Sequence, residues 1–120
     1  MNDNLTPPQT LRDVAYSDGE EYAWDAANAI RAIDWAVENR LAVLGGEVWL
    51  ATNPGPTIPT PFFYEWSTER AIDESWDSFV DRCGHEARNC VRTFEWDEND
   101  HAHALCVPFF NLLLADDACA

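Results

Sequence analysis

The sequence contains no lysine. Its seven arginines stand against 22 aspartates and glutamates, which leaves a formal net charge of −15 over 120 residues at pH 7. So acidic a chain repels nucleic acid and anionic membrane and attracts a basic partner, at a rate that falls as salt rises. No nucleic-acid or membrane ligand is expected, and the expected partner is a basic protein. Halophilic adaptation, or a base composition that replaces lysine by arginine, produces the same bias. Acidity therefore names the partner's sign and not its identity.

Other scarcities exclude further classes. Gly45-Gly46 is followed by neither a third glycine nor a lysine, so no phosphate-cradling loop is present. No apolar run approaches the ~20 residues that cross a bilayer; the longest, Leu105 to Ala115, is broken by Pro108 and Asn111. Met1-Asn2-Asp3-Asn4 lacks the basic and apolar regions of a secretory signal. A soluble cytoplasmic protein is expected. No serine sits in a nucleophile elbow, and in a chain this acidic any two carboxylates look paired by chance. No catalytic residue and no cofactor are assigned, and the chain is not expected to be an enzyme.

What is present suffices for a fold. A hydrophobic content of 47%, 12% aromatic, is enough to offset the entropy of ordering the backbone. The length fits one domain over residues 1–120 with one core, preceded by a poorly ordered tail of about ten residues around Pro7-Pro8. Ser17-Asp18-Gly19-Glu20 has the spacing of a capping box, predicting a helix from Asp18 to Asn39 with a stripe of Ala23, Ala26, Ala27, Ile30, Ile33 and Val37. Asn39 is the expected left-handed residue at its end.

From Leu41 to Thr52 the pattern predicts a strand with a bulge at Gly45-Gly46. The proline-rich stretch Asn53 to Pro61 reads as a connection to a second, antiparallel strand, Phe62 to Trp66. A second long helix is predicted from Glu74 to Phe94, capped by Asp73, with a core stripe through Trp76, Phe79, Val80, Cys83, Ala87, Cys90, Val91 and Phe94. His101 to Leu114 reads as one or two strands with an edge or break at Pro108. The order α-β-β-α-β predicts an α+β domain, a small antiparallel sheet with two main helices on one face.

Cys83, His85, Cys90, His101, His103 and Cys106 fall close together and are zinc-ligand types. Their spacing is poor for a metal. Cys83 and His85 lie about 200° apart on a helix, and the cysteines read better as small core side chains. No metal site is assigned. If Cys83 and Cys90 share a helix they are ~10.5 Å apart along its axis, beyond the reach of a disulfide. A metal-binding regulator or enzyme built on this cluster is the alternative reading, and an acidic nucleic-acid mimic another.

Six tryptophans are many for one small core. In a sheet covered on one side only, Trp49 or Trp66 is expected on the exposed face, and aromatic anchors beside carboxylates form a protein-binding pattern. The candidate binding residues are Glu47, Trp49, Glu65 and Trp66 on the strands, Asp73, Glu74, Asp77 and Asp81 at the start of the second helix, and Asp97, Glu98 and Asp100 after its end.

The run Leu41-Ala42-Val43-Leu44-Gly45-Gly46-Glu47-Val48-Trp49, followed by Tyr64-Glu65-Trp66 and by Glu74-Ser75-Trp76-Asp77-Ser78-Phe79-Val80, resembles the Immunity protein 40 family of bacterial polymorphic toxin systems. The resemblance covers Ala26 to Val91. It implies a small cytoplasmic protein that protects a cell by binding a cognate toxin domain. Members often have glycine just before the first strand; this chain has Arg40, which leaves the helix end to Asn39.

Overall fold

The computed structural model describes residues 5–19, 21–51, 57–59, 64–96 and 107–117. A short helix α1 (Gln9–Arg12) leads into a hairpin of β1 (Tyr16–Asp18) and β2 (Glu21–Trp24). Then come α2 (Ala26–Glu38), β3 (Ala42–Ala51), β4 (Thr57–Pro59), β5 (Glu65–Ser67), α3 (Trp76–Thr93) and β6 (Pro108–Ala115). The strands make one open antiparallel sheet in the order β1-β2-β6-β3-β4, with β5 also paired to β3. The α+β class and the succession α2-β3-β5-α3-β6 are those expected from the sequence. The hairpin ahead of α2 is not.

Ser17 and Gly19 do not open a helix. Gly19 adopts φ 65° in the tight connection between β1 and β2, a conformation glycine enters at no steric cost. The helix begins later, at Ala26, where the Asp25 carboxylate accepts from the Asn28 amide at 3.0 Å. Tertiary packing overrides the local signal here. Trp24 pairs with Phe110 of β6, is 2% exposed, and donates its indole N–H to the Leu11 carbonyl at 2.8 Å. Of the expected tail, residues 1–4 lie outside the described residues; Pro7 is buried, Gln9 to Arg12 form a helical turn, and Leu11 is in the core.

The buried side of α2 is Ala29, Ala32, Ile33 and Ala36, turned from the expected stripe, so that Ala26 and Ala27 are exposed. Alanine marks a helix face poorly because it is tolerated on every side. The end of α2 also differs from expectation. Asn39 is not left-handed (φ −99°); Arg40 is, at φ 59°. The Leu41 amide donates to Ala36 O at 2.8 Å and the Arg40 amide to Val37 O at 3.1 Å, a Schellman closure with Arg40 in the place glycine usually takes.

In β3 the bulge falls between Val43 and Gly45, next to the expected glycines. The register beyond it places Val48 with Phe110 and Trp24 on the face that α2 and α3 cover. On that side Trp66 lies across Gly46, leaving no room there for a Cβ. The proline-rich connection contains β4, an edge strand paired with Trp49 to Ala51, where proline is tolerated. Phe62 and Phe63 lie outside the described residues.

α3 starts at Trp76 rather than Glu74. Its cap is Ser75, whose hydroxyl accepts from the Ser78 amide at 3.2 Å, and not Asp73. Phe79, Val80, Cys83, Ala87 and Val91 are buried as expected, while Trp76, Cys90 and Phe94 are half-buried. β6 is a central strand between β2 and β3, not an edge. Pro108 is its first residue, where no ladder donor is missed in mid-strand.

Candidate protein-binding surface

Strand alternation sorts the candidate residues on two sides of the sheet. Opposite the helices, Glu65 of β5 faces Glu47 of β3, Glu47 faces Asn111 of β6, Asn111 faces Ala23 of β2, and Ala23 faces Tyr16 of β1. The adjacent row on the same side is Ser67, Gly45 and Leu113, with Glu21 next in β2. Glu21, Glu47, Glu65, Ser67, Asn111 and Leu113 line a shallow groove of 520 Å³. Leu113 is 60% exposed, an uncommon setting for a leucine in a central strand.

Of the four strand residues named from the sequence, Glu47, Trp49 and Glu65 share this helix-free face; Trp66 does not. Trp49 is on it but is completely buried, against the expectation of an exposed indole. Its Nε1 donates to Glu47 Oε1 at 2.9 Å, and Tyr16 packs edge-on against it at 6.3 Å. Trp49 thus orients Glu47 rather than presenting a ring. Trp66 turns to the helix side and packs against the main core.

The acidic start of α3 is a different environment. Arg40 lies 3.6 Å from Asp77 and 3.7 Å from Asp81. Glu74 is clasped by Arg82 through two hydrogen bonds of 2.8 and 2.7 Å and accepts from the Ala71 amide at 3.0 Å. The Arg82 guanidinium, with the Ala71 amide, holds the Glu74 carboxyl well down, at about 2, and Glu74 in turn raises the arginine. These acids are supplied with cations by the chain itself, and Asp73 is exposed beside them. Asp97, Glu98 and Asp100 lie outside the described residues.

None of the seven arginines belongs to a strand. Arg12, Arg31, Arg82, Arg88 and Arg92 are on helices, and Arg40 and Arg70 on connections. Among the described residues no arginine pairs with Glu21, Glu47 or Glu65. Like charges directly opposite in a sheet are destabilising, and among the described residues no arginine relieves the Glu47 and Glu65 pair.

Sequence reasoning missed Glu21, which it read as part of a helix, and Leu113. The signal for Leu113 was available: once Leu112-Leu113-Leu114 is a strand, the middle leucine must point away from its neighbours. A second cavity of 390 Å³ lies on the helix side between β5 and the end of α3, with Tyr64, Trp66, Phe94 and Phe110 in its walls. Its rings meet edge-on, Tyr64 with Phe94 at 5.7 Å and Phe94 with Phe110 at 5.6 Å, continuous with the core.

The cysteine and histidine cluster is divided by the helix. Cys83 is buried, and burial pushes its thiol up to about 11, while His85 two residues on is exposed. Cys90 is half-buried and its thiol is likewise raised by burial. His101, His103 and Cys106 lie outside the described residues. No helix among the described residues is long and apolar enough to cross a membrane.

The family model of Immunity protein 40 matches residues 10–109. The chain belongs to the Immunity protein 40 family. The match takes in every strand of the sheet except most of β6, together with α2 and α3, so this fold is the family's part of the chain. The resemblance to this family is thereby borne out. No curated protein and no solved structure matches the chain.

Proposed function

We propose that this immunity-family chain neutralises the toxin domain of a polymorphic toxin system in the bacterial cytoplasm, by binding it and without catalysing a reaction. The observation that carries this reading is the family match over residues 10–109. The charge supports it: a net −15, with the cations kept on helices and connections, suits a basic partner. Electrostatic steering can lift association to ~10⁸–10⁹ M⁻¹s⁻¹, and speed matters to an inhibitor that must act before its toxin does. Carboxylates set where phosphates would bind suit an inhibitor of a basic, nucleic-acid-cleaving toxin.

Co-expression with the toxin domain encoded beside its gene is the test. Growth should be restored and the two proteins should co-purify as a complex that weakens with salt. Killing that is the same with and without this chain overturns the reading.

A further inference from the structure

We infer that the helix-free face of the sheet, with Leu113 at its centre and Glu21, Glu47 and Glu65 around it, is the surface that docks a basic segment of the partner protein. The inference rests on the toxin-binding reading and adds the place and chemistry of the contact.

The two faces of the sheet are finished differently. On one, α2 and α3 bury Trp24, Val48 and Phe110. On the other, no helix packs among the described residues, and Leu113 stands 60% exposed above the floor that Gly45 forms. Its surroundings are carboxylates from three different strands: Glu21 from β2, Glu47 from β3 and Glu65 from β5. An apolar centre within a polar rim is the anatomy of a protein interface.

Charge complementarity selects the occupant. On the helix side the chain matches several acids with arginines, Glu74 with Arg82, Asp77 and Asp81 with Arg40, and Asp34 with Arg88. On this face it places Glu47 directly opposite Glu65 and provides no arginine. Trp49, itself buried, holds Glu47 in place through its indole N–H. A guanidinium or ammonium from a partner entering the groove would separate the opposed carboxylates, and an aliphatic stem would cover Leu113. The like-charge pair is then a feature kept at the expense of stability for association.

That gives the test two opposed readouts. With the toxin domain encoded beside the gene as probe, Glu65→Lys should melt at the same or a higher temperature, because a lysine now faces Glu47. Its association rate at low salt should nevertheless fall about tenfold or more, with a flatter salt dependence. Leu113→Ser should raise the dissociation rate about tenfold, since loss of an apolar anchor acts on residence time. Glu38→Lys, an exposed reversal of equal charge on α2, should change either rate by less than about threefold at physiological salt, where a charge outside the contact is screened. Folded Glu65→Lys and Leu113→Ser proteins that bind like the parent, or an equal loss in Glu38→Lys, overturn this surface while the toxin-binding reading stands. A parent protein that fails to bind at all overturns both.

Discussion

The indole Nε1 of Trp76 donates to the carbonyl oxygen of Arg40 at 2.8 Å, so the first residue of α3 holds the turn that ends α2. The same arginine sends its side chain to Asp77 and Asp81, four residues apart on the first two turns of α3. Arg40 therefore combines an unfavourable backbone with favourable contacts. Its φ of 59° costs an L-residue roughly 1–2 kcal/mol, whereas exposed ion pairs return about 0–1 kcal/mol.

Substitution separates the two terms. Arg40→Gly should leave stability unchanged or raise it by up to about 1 kcal/mol, since the backbone gain equals or exceeds the lost pairs. Arg40→Ala keeps the strained backbone and loses the pairs, and should be the less stable of the two by about 1 kcal/mol. Urea unfolding of the three proteins decides, and an alanine variant as stable as the glycine variant would contradict the strain.

Phe79 and Trp76 should differ in how much they contribute to stability. Phe79 is 1% exposed, and Phe79→Ala should cost about 3–5 kcal/mol. Trp76 is half-buried, packing edge-on against Phe79 at 5.7 Å. Trp76→Phe keeps much of that contact and should cost about 1 kcal/mol, the net worth of the lost hydrogen bond to Arg40. Equal losses for the two variants would show that the indole is core after all.

Acid should reveal the Glu74 clasp. Its carboxyl is held at about 2 against an ordinary 4.5, first by the Arg82 hydrogen bond and then by the Ala71 amide. A depressed folded-state value means that the stability it contributes is fully present above pH 4.5 and is lost as the pH falls through 4.5 towards about 2. The difference in urea midpoint between the parent and Glu74→Gln should therefore be constant near neutrality and close across that window. A difference that does not change with pH would sink the assignment.

The close approach at Gly46 is testable by one methyl group. A Cβ there would meet the Asn111 carbonyl oxygen and the Trp66 ring. The ring can move and the central strand cannot, so Gly46→Ala should cost about 1–3 kcal/mol. A variant that unfolds at the parent's midpoint would show that β3 and β6 have slack at this point.

Periodicity made α3, β3 and the α+β class legible because each carries its own repeat: Phe79, Val80, Cys83, Ala87 and Val91 at helical spacing, and the Gly45-Gly46 break inside a β-rich run. Family membership was legible from short motifs in the same two elements. Where local signals were ambiguous, long-range pairing chose. Ser17 and Glu20 satisfy a capping box, yet the segment is a hairpin because Trp24 finds Phe110, far along the chain, and Leu11 to accept its N–H. The alanines of α2 carry no preference for a face until α3 and the sheet supply one.

The binding surface divides in the same way. Sequence alone determined that the protein is acidic and lysine-free, since charge is a sum over residues and needs no coordinates. Only the tertiary structure decided which acids are already matched. Arg40 reaches Asp77 and Asp81, and Arg82 reaches Glu74, because α2, α3 and their connections meet there. Glu21, Glu47 and Glu65 come together, with no arginine paired to them among the described residues, because strand register puts three distant segments on one face. Register is a property of paired backbones, and no single segment encodes it.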